Sequence, residues 1–278
     1  MILSGKAKVA GVFGWPVGQS RSPRLHGWWL DRYGVDGAYV PLAVPPERLE
    51  QALRALPALG FRGVNLTVPH KAAALTLVDH VDPVARRIGA VNTIVVGEDG
   101  ALEGGNTDAG GFLANLREGA PGWRPEAGPA AVAGAGGAAR AVVAALVDAG
   151  VPEIHLFNRS IEKAEALACD LGGPIHVVPW FGRASALAEA ALLVNTTSLG
   201  MTNQPSLDLD LSALPPDAVV TDIVYAPLET PLLAAARARG NAVVDGLGML
   251  LHQAVPGFEA WFGVRPEVTA ELRAHVLG

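Results

Sequence analysis

The sequence has almost no cysteine: one residue, Cys169, in 278. It can close no internal disulfide, and in "EKAEALACDLGG", a helix-like segment, a packed thiol is expected rather than a nucleophile. No HExxH and no paired CxxC occurs, so no protein-bound metal is expected, and the seven histidines are scattered. Charge is sparse at 17% of residues, with a net of −6. That balance argues against a nucleic-acid partner but permits local recognition of small anions. No uncharged apolar run reaches membrane-spanning length, since Arg140 interrupts the best candidate, and no membrane partner is expected. In "MILSGKAKVAGVFGWPVGQS" lysines precede an apolar stretch, as in a signal peptide. Trp15 and Pro16 then lead into "QSRSPR" instead of a small-residue cleavage site, so the segment reads as a first strand and the expected location is cytoplasmic.

What the chain does have is apolar material (50% of residues) and 33 glycines, enough for a substantial core with many tight turns. Its segments alternate. "AKVAGVFG" reads as strand, "SPRLHGWWLDRYG" as helix, "AYVPLAV" as strand, "PPERLEQALRALPALG" as helix and "RGVNLTV" as strand. This is the rhythm of a mainly parallel sheet covered by helices. "NTIVVGEDGALEGG" interrupts it as a hairpin turning at Glu98-Asp99-Gly100. "REGAPGWRPEAGP" (117–129) reads as a surface connection, after which a second αβ series begins. The last 30 or so residues are helical and strandless, so two domains are expected, with the tail free to pack on the first.

"AAVAGAGGAARAVVAALVDAG" (130–150) is an apolar strand, then Gly134, Ala135, Gly136, Gly137 and Ala138, then a long helix. Strand, tight glycine turn and helix N-terminus together let the backbone approach a pyrophosphate, with N–H groups and the helix dipole facing its charge. At the end of the next strand an NAD site usually carries an acid for the ribose hydroxyls. Here "LFNRS" places Asn158, Arg159 and Ser160, with Lys163 following, and these cations suit a 2′-phosphate. NADP(H) is the expected cofactor.

Four polar clusters precede that loop. Ser20 and Ser22 stand before Pro23, where Ser22 alone could be a helix cap and two hydroxyls could receive a carboxylate. In "GVNLTVPHK", Asn65 and Thr67 share a strand face and Lys71 follows the Pro69 break. Asn92 follows "GAV", and Asp108 in "GGNTDAGGF" ends a loop before a helix, where it could be a cap or a functional group.

In this order, "GWPVGQSRSP", "NLTVPHK", "GAVNT", "GNTDAGGF", "AGAGGAARA", "FNRS" and "DGLGMLLHQA" resemble the successive motifs of the shikimate dehydrogenase family over nearly the whole chain. The resemblance implies an α/β fold of two domains. Residues 1–108 plus 247–278 would form a mainly parallel substrate domain completed by C-terminal helices, and residues 109–246 a Rossmann-type NADP-binding domain. It implies reversible NADPH-dependent reduction of 3-dehydroshikimate to shikimate. Ser20 and Ser22 would hold the substrate carboxylate, and Asn65, Thr67, Asn92, Asp108 and Gln253 the ring hydroxyls. Lys71 and Asp108 match the family's lysine–aspartate pair, with Lys71 as general acid/base. Tyr225 and Gly246 match positions near substrate and nicotinamide. Ile223 stands where many members have Met, and an apolar wall beside the nicotinamide survives that change. The alternatives are a relative that also oxidises quinate, using NAD(P), and a non-catalytic NADP-binding regulator. The partner is a small molecule, and monomer and homodimer are both open.

Overall fold

The computed structural model describes residues 2–278, and the chain divides into two compact units. One runs to Thr107 and resumes at Leu250–Gly278, while the other is Asp108–Met249. The second break falls inside a helix, three residues beyond the position expected from sequence.

The first unit contains β1 (Lys8–Gly14), α1 (Ser22–Arg32), β2 (Gly37–Ala43), α2 (Leu49–Ala55), β3 (Phe61–Leu66), β4 (His80–Val81), α3 (Pro83–Ile88), β5 (Thr93–Val96) and β6 (Leu102–Gly105). Its sheet order is β2-β1-β3-β5-β6-β4. β1 pairs in parallel with β2 and β3, and the β5–β6 hairpin then runs antiparallel beside β3. The hairpin turns at the expected residues, with Gly100 at φ 85° and Gly97 N–H donating to the Ala101 carbonyl at 2.8 Å. Gly11 lets the backbone of β2 approach, since a Cβ there would stand 2.6 Å from the Val40 carbonyl oxygen.

The second unit opens with α4 (Asp108–Gly119) and continues through β7 (Ala130–Ala133), α5 (Gly137–Ala149), β8 (Ile154–Phe157), α6 (Ile161–Leu171) and β9 (Ile175–Val178). Then come α7 (Arg183–Ala188), β10 (Leu192–Asn195), β11 (Val219–Asp222), α8 (Pro231–Ala238) and β12 (Ala242–Val244). The sheet order is β12-β11-β10-β7-β8-β9, parallel throughout. This is the doubly wound dinucleotide order, whose switch point lies between β7 and β10. Both strands there are buried at every residue, as a sheet covered on two faces requires.

The chain ends in α9 (Leu247–Phe262) and α10 (Ala270–Leu277). Within the first unit the tail is fixed by two indoles. Trp261 Nε1 donates to the Ile94 carbonyl at 3.0 Å, and Trp29 Nε1 to the Glu267 carbonyl at 3.0 Å. Both rings are buried, each stabilising by about 1.5–3 kcal/mol. Gly63 makes room for one of them, because a Cβ there would lie 2.2 Å from Trp261 Nε1.

Three local expectations change. Cys169 is exposed rather than packed, because α6 buries Ala164, Leu167 and Leu171 and so turns position 169 to the opposite side. The stretch 117–129 is not wholly surface, since Ala120 and Trp123 are buried. β3 ends at Leu66, so Thr67 lies just beyond the ladder.

Candidate active site

Ser22 begins α1, yet no side chain caps that helix: the cap residue is Arg21, and Pro23 supplies a turn without a donor. The Ser22 hydroxyl is therefore not consumed by the helix end, and the residue is buried. Its backbone N–H donates to Ser20 Oγ at 3.3 Å, which sets the two predicted serines side by side.

The amides predicted from three separate motifs meet in one network. Asn65 Nδ2 donates to the Asn92 carbonyl at 3.1 Å and to Thr93 Oγ1 at 3.1 Å. Asn92 Oδ1 accepts from Thr107 N at 2.9 Å and from Thr93 Oγ1 at 2.9 Å. Asn92 Nδ2 donates to Thr107 Oγ1 at 3.0 Å and reaches Gln253 Oε1 on α9 at 3.4 Å. Asn65, Asn92 and Gln253 are each more than nine-tenths buried, so the cluster is uncharged, satisfied and rigid. Thr67 is half-buried beside it, its backbone N–H held by the Phe13 carbonyl at 2.9 Å. Lys71 lies in the following turn, which is pinned to the loop segment before Asn92 by Val91 N–H donating to the Lys71 carbonyl at 2.8 Å. His70 braces the same turn through Nε2 against the Val44 carbonyl at 2.9 Å.

Sequence reasoning missed Tyr39, on β2. Its hydroxyl lies 2.6 Å from Asn65 Oδ1, and its ring stacks on His26 with centroids 3.9 Å apart and planes 7° apart. His26 is fully buried among Tyr39, Trp29, Phe258 and Trp261, with neither ring nitrogen hydrogen-bonded. Burial lowers its pKa to about 3. Unfolded, the imidazole takes a proton below pH about 6.5, whereas the folded site refuses one until far lower. The stability this confers is present above pH 6.5 and is lost as pH falls from there towards 3. His26→Phe keeps an aromatic stack and removes the titration. The wild type should therefore lose up to about 1.4 kcal/mol per pH unit relative to the variant below pH 6. Urea midpoints at pH 7.5, 6.0 and 5.0 would check this, and parallel curves would refute it.

In the second unit the glycine loop opens a cavity of about 440 Å³. Gly134, Ala135 and Gly136 form one wall, and Asn158, Arg159, Ser160 and Lys163 another. Gly134 sits at φ 112°, where a Cβ would meet Thr196 Oγ1 at 2.5 Å, so it is needed for the turn itself. Gly136 and Gly137, at the start of α5, differ: a Cβ at either would meet no atom within 4 Å, which leaves the backbone there open to a ligand. That is the cradle a pyrophosphate requires, and the residues present fit a dinucleotide. Ala138 follows in the first turn of α5. Asn158 Nδ2 donates to the Ser160 carbonyl at 2.8 Å, closing the turn that presents Arg159 to solvent. The Ser160 hydroxyl donates to Glu162 Oε2 at 2.7 Å and so occupies the nearby carboxylate.

The remaining wall, Thr196 to Leu199 with Trp180, was not anticipated from sequence. A polar "NTTS" run after the apolar "ALLV" strand was the available signal. Asn195 shapes it, with Oδ1 accepting from Thr197 N at 3.0 Å and Nδ2 donating to the Leu199 carbonyl at 3.1 Å and to Asp222 Oδ1 at 3.0 Å. Asp222 is itself buried, which raises its pKa, and three donors satisfy it: Asn195 Nδ2, Val224 N and Thr230 Oγ1. Ile223 and Gly246 do not line this cavity but lie against each other, a Cβ on Gly246 falling 2.3 Å from the Ile223 carbonyl carbon. Tyr225 is half-buried after β11, and Asp108 is the buried first residue of α4.

Three family descriptions match the chain: a shikimate dehydrogenase substrate binding domain over residues 12–94, shikimate/quinate 5-dehydrogenase over 126–202, and a shikimate 5′-dehydrogenase C-terminal domain over 246–274. Among curated relatives, the shikimate dehydrogenase (NADP(+)) of Paramagnetospirillum magneticum is 70% identical, the match covering 99% of this chain and 100% of that protein. The Rhodospirillum rubrum protein of the same name is 65% identical over 100% and 99% of the two chains. Among solved structures, Thermus thermophilus shikimate 5-dehydrogenase in complex with NADP(H) and shikimate is 40% identical, with TM-score 0.87 and coverage of 97% and 98%. A Corynebacterium glutamicum quinate dehydrogenase in complex with NAD is 34% identical, with TM-score 0.91 and coverage of 98% and 99%.

Proposed function

This chain belongs to the shikimate dehydrogenase family, and from that premise we propose that it catalyses the reversible NADPH-dependent reduction of 3-dehydroshikimate to shikimate. Its curated relatives are NADP-dependent oxidoreductases by name. The observation that supports the reaction most directly is the buried amide network, which joins Asn65, Asn92 and Gln253 from three distant motifs in a satisfied, uncharged array. Such an array suits a small polyol, because it offers hydrogen bonds in fixed directions and no competing charge.

Ser20 and Ser22 receive the substrate carboxylate. Asn65, Thr67, Asn92 and Gln253 engage the ring hydroxyls, with Tyr225 and Asp108 completing the contacts. The dinucleotide, when bound, supplies or accepts the hydride. Gly134 to Ala138 take its pyrophosphate, Arg159 and Lys163 its 2′-phosphate, while Asn158 and Ser160 shape that turn and Ile223 and Gly246 border the nicotinamide. Lys71 holds its ammonium at the substrate oxygen that changes oxidation state. During reduction negative charge builds there, and Lys71 both stabilises it and donates the proton; in the reverse direction it accepts the proton. Asp108 matches the carboxylate of the family's lysine–aspartate pair. The substrate is thus the chain's small-molecule partner, and among the described residues no helix is long and apolar enough to cross a membrane.

Initial rates with shikimate or quinate crossed against NADP⁺ or NAD⁺ test the assignment. Turnover should be confined to shikimate with NADP⁺. Comparable rates with quinate or NAD⁺ would move the chain to the broader-specificity reaction of the quinate relative. No turnover in any pairing would make the role of Lys71 wrong.

A further inference from the structure

The strand register of the second unit brings an aromatic ring to the dinucleotide cavity. β8 and β9 run parallel with Phe157 paired to Val178. Arg159 and Trp180 each follow that pair by two residues, so they leave neighbouring strands at the same end of the sheet. Both line the cavity of about 440 Å³, together with Lys163 and the glycine loop. Trp180 is partly buried, in a turn at Trp180–Gly182, and Arg183 Nη1 donates to its carbonyl at 2.9 Å. The Arg183 guanidinium carbon lies 4.9 Å from the indole centroid. The buried Phe157 ring packs on the same indole, with centroids 5.9 Å apart and planes at 55°. Neither Arg183 nor Phe157 lines the cavity, so the indole is fixed from outside it while part of its own surface faces in.

A role for that surface rests on the proposed dinucleotide at the glycine loop. In NADP(H) the carbon bearing the 2′-phosphate is bonded to the carbon bearing adenine. The base therefore lies close to the cations that hold the phosphate, and Trp180 is the aromatic neighbour of Arg159. The rest of the wall has few hydrogens to offer a base. Thr196 Oγ1 donates to the Ala133 carbonyl at 2.6 Å, and Thr197 Oγ1 to Asn195 Oδ1 at 2.8 Å. Adenine, like every base, has a flat π-face, and a held indole suits it without reading its edges.

We infer that the Trp180 indole is the platform for the adenine of the dinucleotide. Trp180 and Arg159 then divide the recognition of one end of the cofactor. The indole tightens NADP(H) and NAD(H) alike, because both carry adenine, whereas Arg159 tells them apart by the 2′-phosphate. Arg183, over the ring and outside the cavity, holds the indole in place through a cation–π contact.

Direct titrations test the platform, using wild type, Trp180→Leu and Trp180→Phe. Leucine keeps an apolar side chain against Phe157 and removes the aromatic face, which phenylalanine restores. Trp180→Leu should weaken NADPH and NADH by similar factors of about fivefold or more, and Trp180→Phe should stay within about threefold of wild type. Shikimate affinity of Trp180→Leu should change by less than about twofold, which a general folding defect would not permit. Adenosine 2′,5′-bisphosphate supplies the second readout, since it carries the base and the 2′-phosphate but no nicotinamide. Trp180 is the member of the chain's six tryptophans that lines the cavity. The bisphosphate should therefore quench the indole emission of wild type and leave that of Trp180→Phe unchanged, a comparison that stands even if Trp180→Leu does not fold. Normal cofactor affinity in Trp180→Leu, a loss confined to NADPH, or a phenylalanine variant as weak as leucine would overturn the platform. So would binding of the bisphosphate to wild type without quenching, or quenching that persists in Trp180→Phe. Each of these leaves the dinucleotide assignment standing. If wild type binds neither the bisphosphate nor NADPH, that assignment itself fails and the platform with it.

Discussion

Lys71→Ala should reduce turnover of shikimate by roughly 10²–10⁴ while leaving NADPH binding near normal. The size reflects what is removed. A positioned group that moves a proton to or from the reacting oxygen contributes about 10²–10⁴ in rate, and alanine leaves neither acid nor base in its place. The sparing of NADPH reflects the division of the chain, since Lys71 belongs to the first unit and the glycine loop to the second. The turn itself should survive, because it is held by backbone bonds to Val91 and through His70, neither of which involves the Lys71 side chain. Steady-state rates at saturating substrates, with NADPH affinity followed by fluorescence, separate the two effects. A fall in turnover below tenfold would show that the proton is handled elsewhere.

The second large effect is expected at Arg159. A charge-assisted bond to phosphate is worth roughly 1.5–3 kcal/mol, so Arg159→Ala should weaken NADPH binding about 10- to 150-fold. NADH lacks the 2′-phosphate and should lose less than about threefold. The local geometry favours a clean result. Arg159 is solvent-exposed on the cavity rim, the turn beneath it is closed by Asn158 on Ser160, and Glu162 is occupied by the Ser160 hydroxyl. Removing the guanidinium should therefore take away a ligand contact without collapsing the turn. Equal losses for the two cofactors in direct titrations would refute the 2′-phosphate role.

Much of the fold and of the candidate site was legible because it depends on local chemistry. Strand, glycine turn and helix at 130–150 can be read in sequence, since phosphate approach demands small side chains at fixed spacing. The hairpin at Glu98-Asp99-Gly100 is legible because Gly100 has a left-handed φ that other residues adopt at a cost. The ordered polar motifs likewise pointed to Ser22, Asn65, Asn92 and Gln253. Cys169 was misjudged because a helical pattern does not reveal which face meets the core until the partner elements are in place.

The sequence by itself determined the chemical inventory and its order: an anion-binding glycine loop, cations in place of an acid, paired serines, and a lysine after a broken strand. Only the tertiary structure decided which groups share hydrogens. Tyr39 meets Asn65 across 26 positions, Asn92 meets Gln253 across 161, and Trp261 caps Ile94 across 167. Gly134 fits against Thr196 because β7 and β10 are neighbours at the switch point. A hydrogen bond depends on distance and direction to a few tenths of an ångström. Sequence spacing carries no such information between residues joined only by the folding of the sheet.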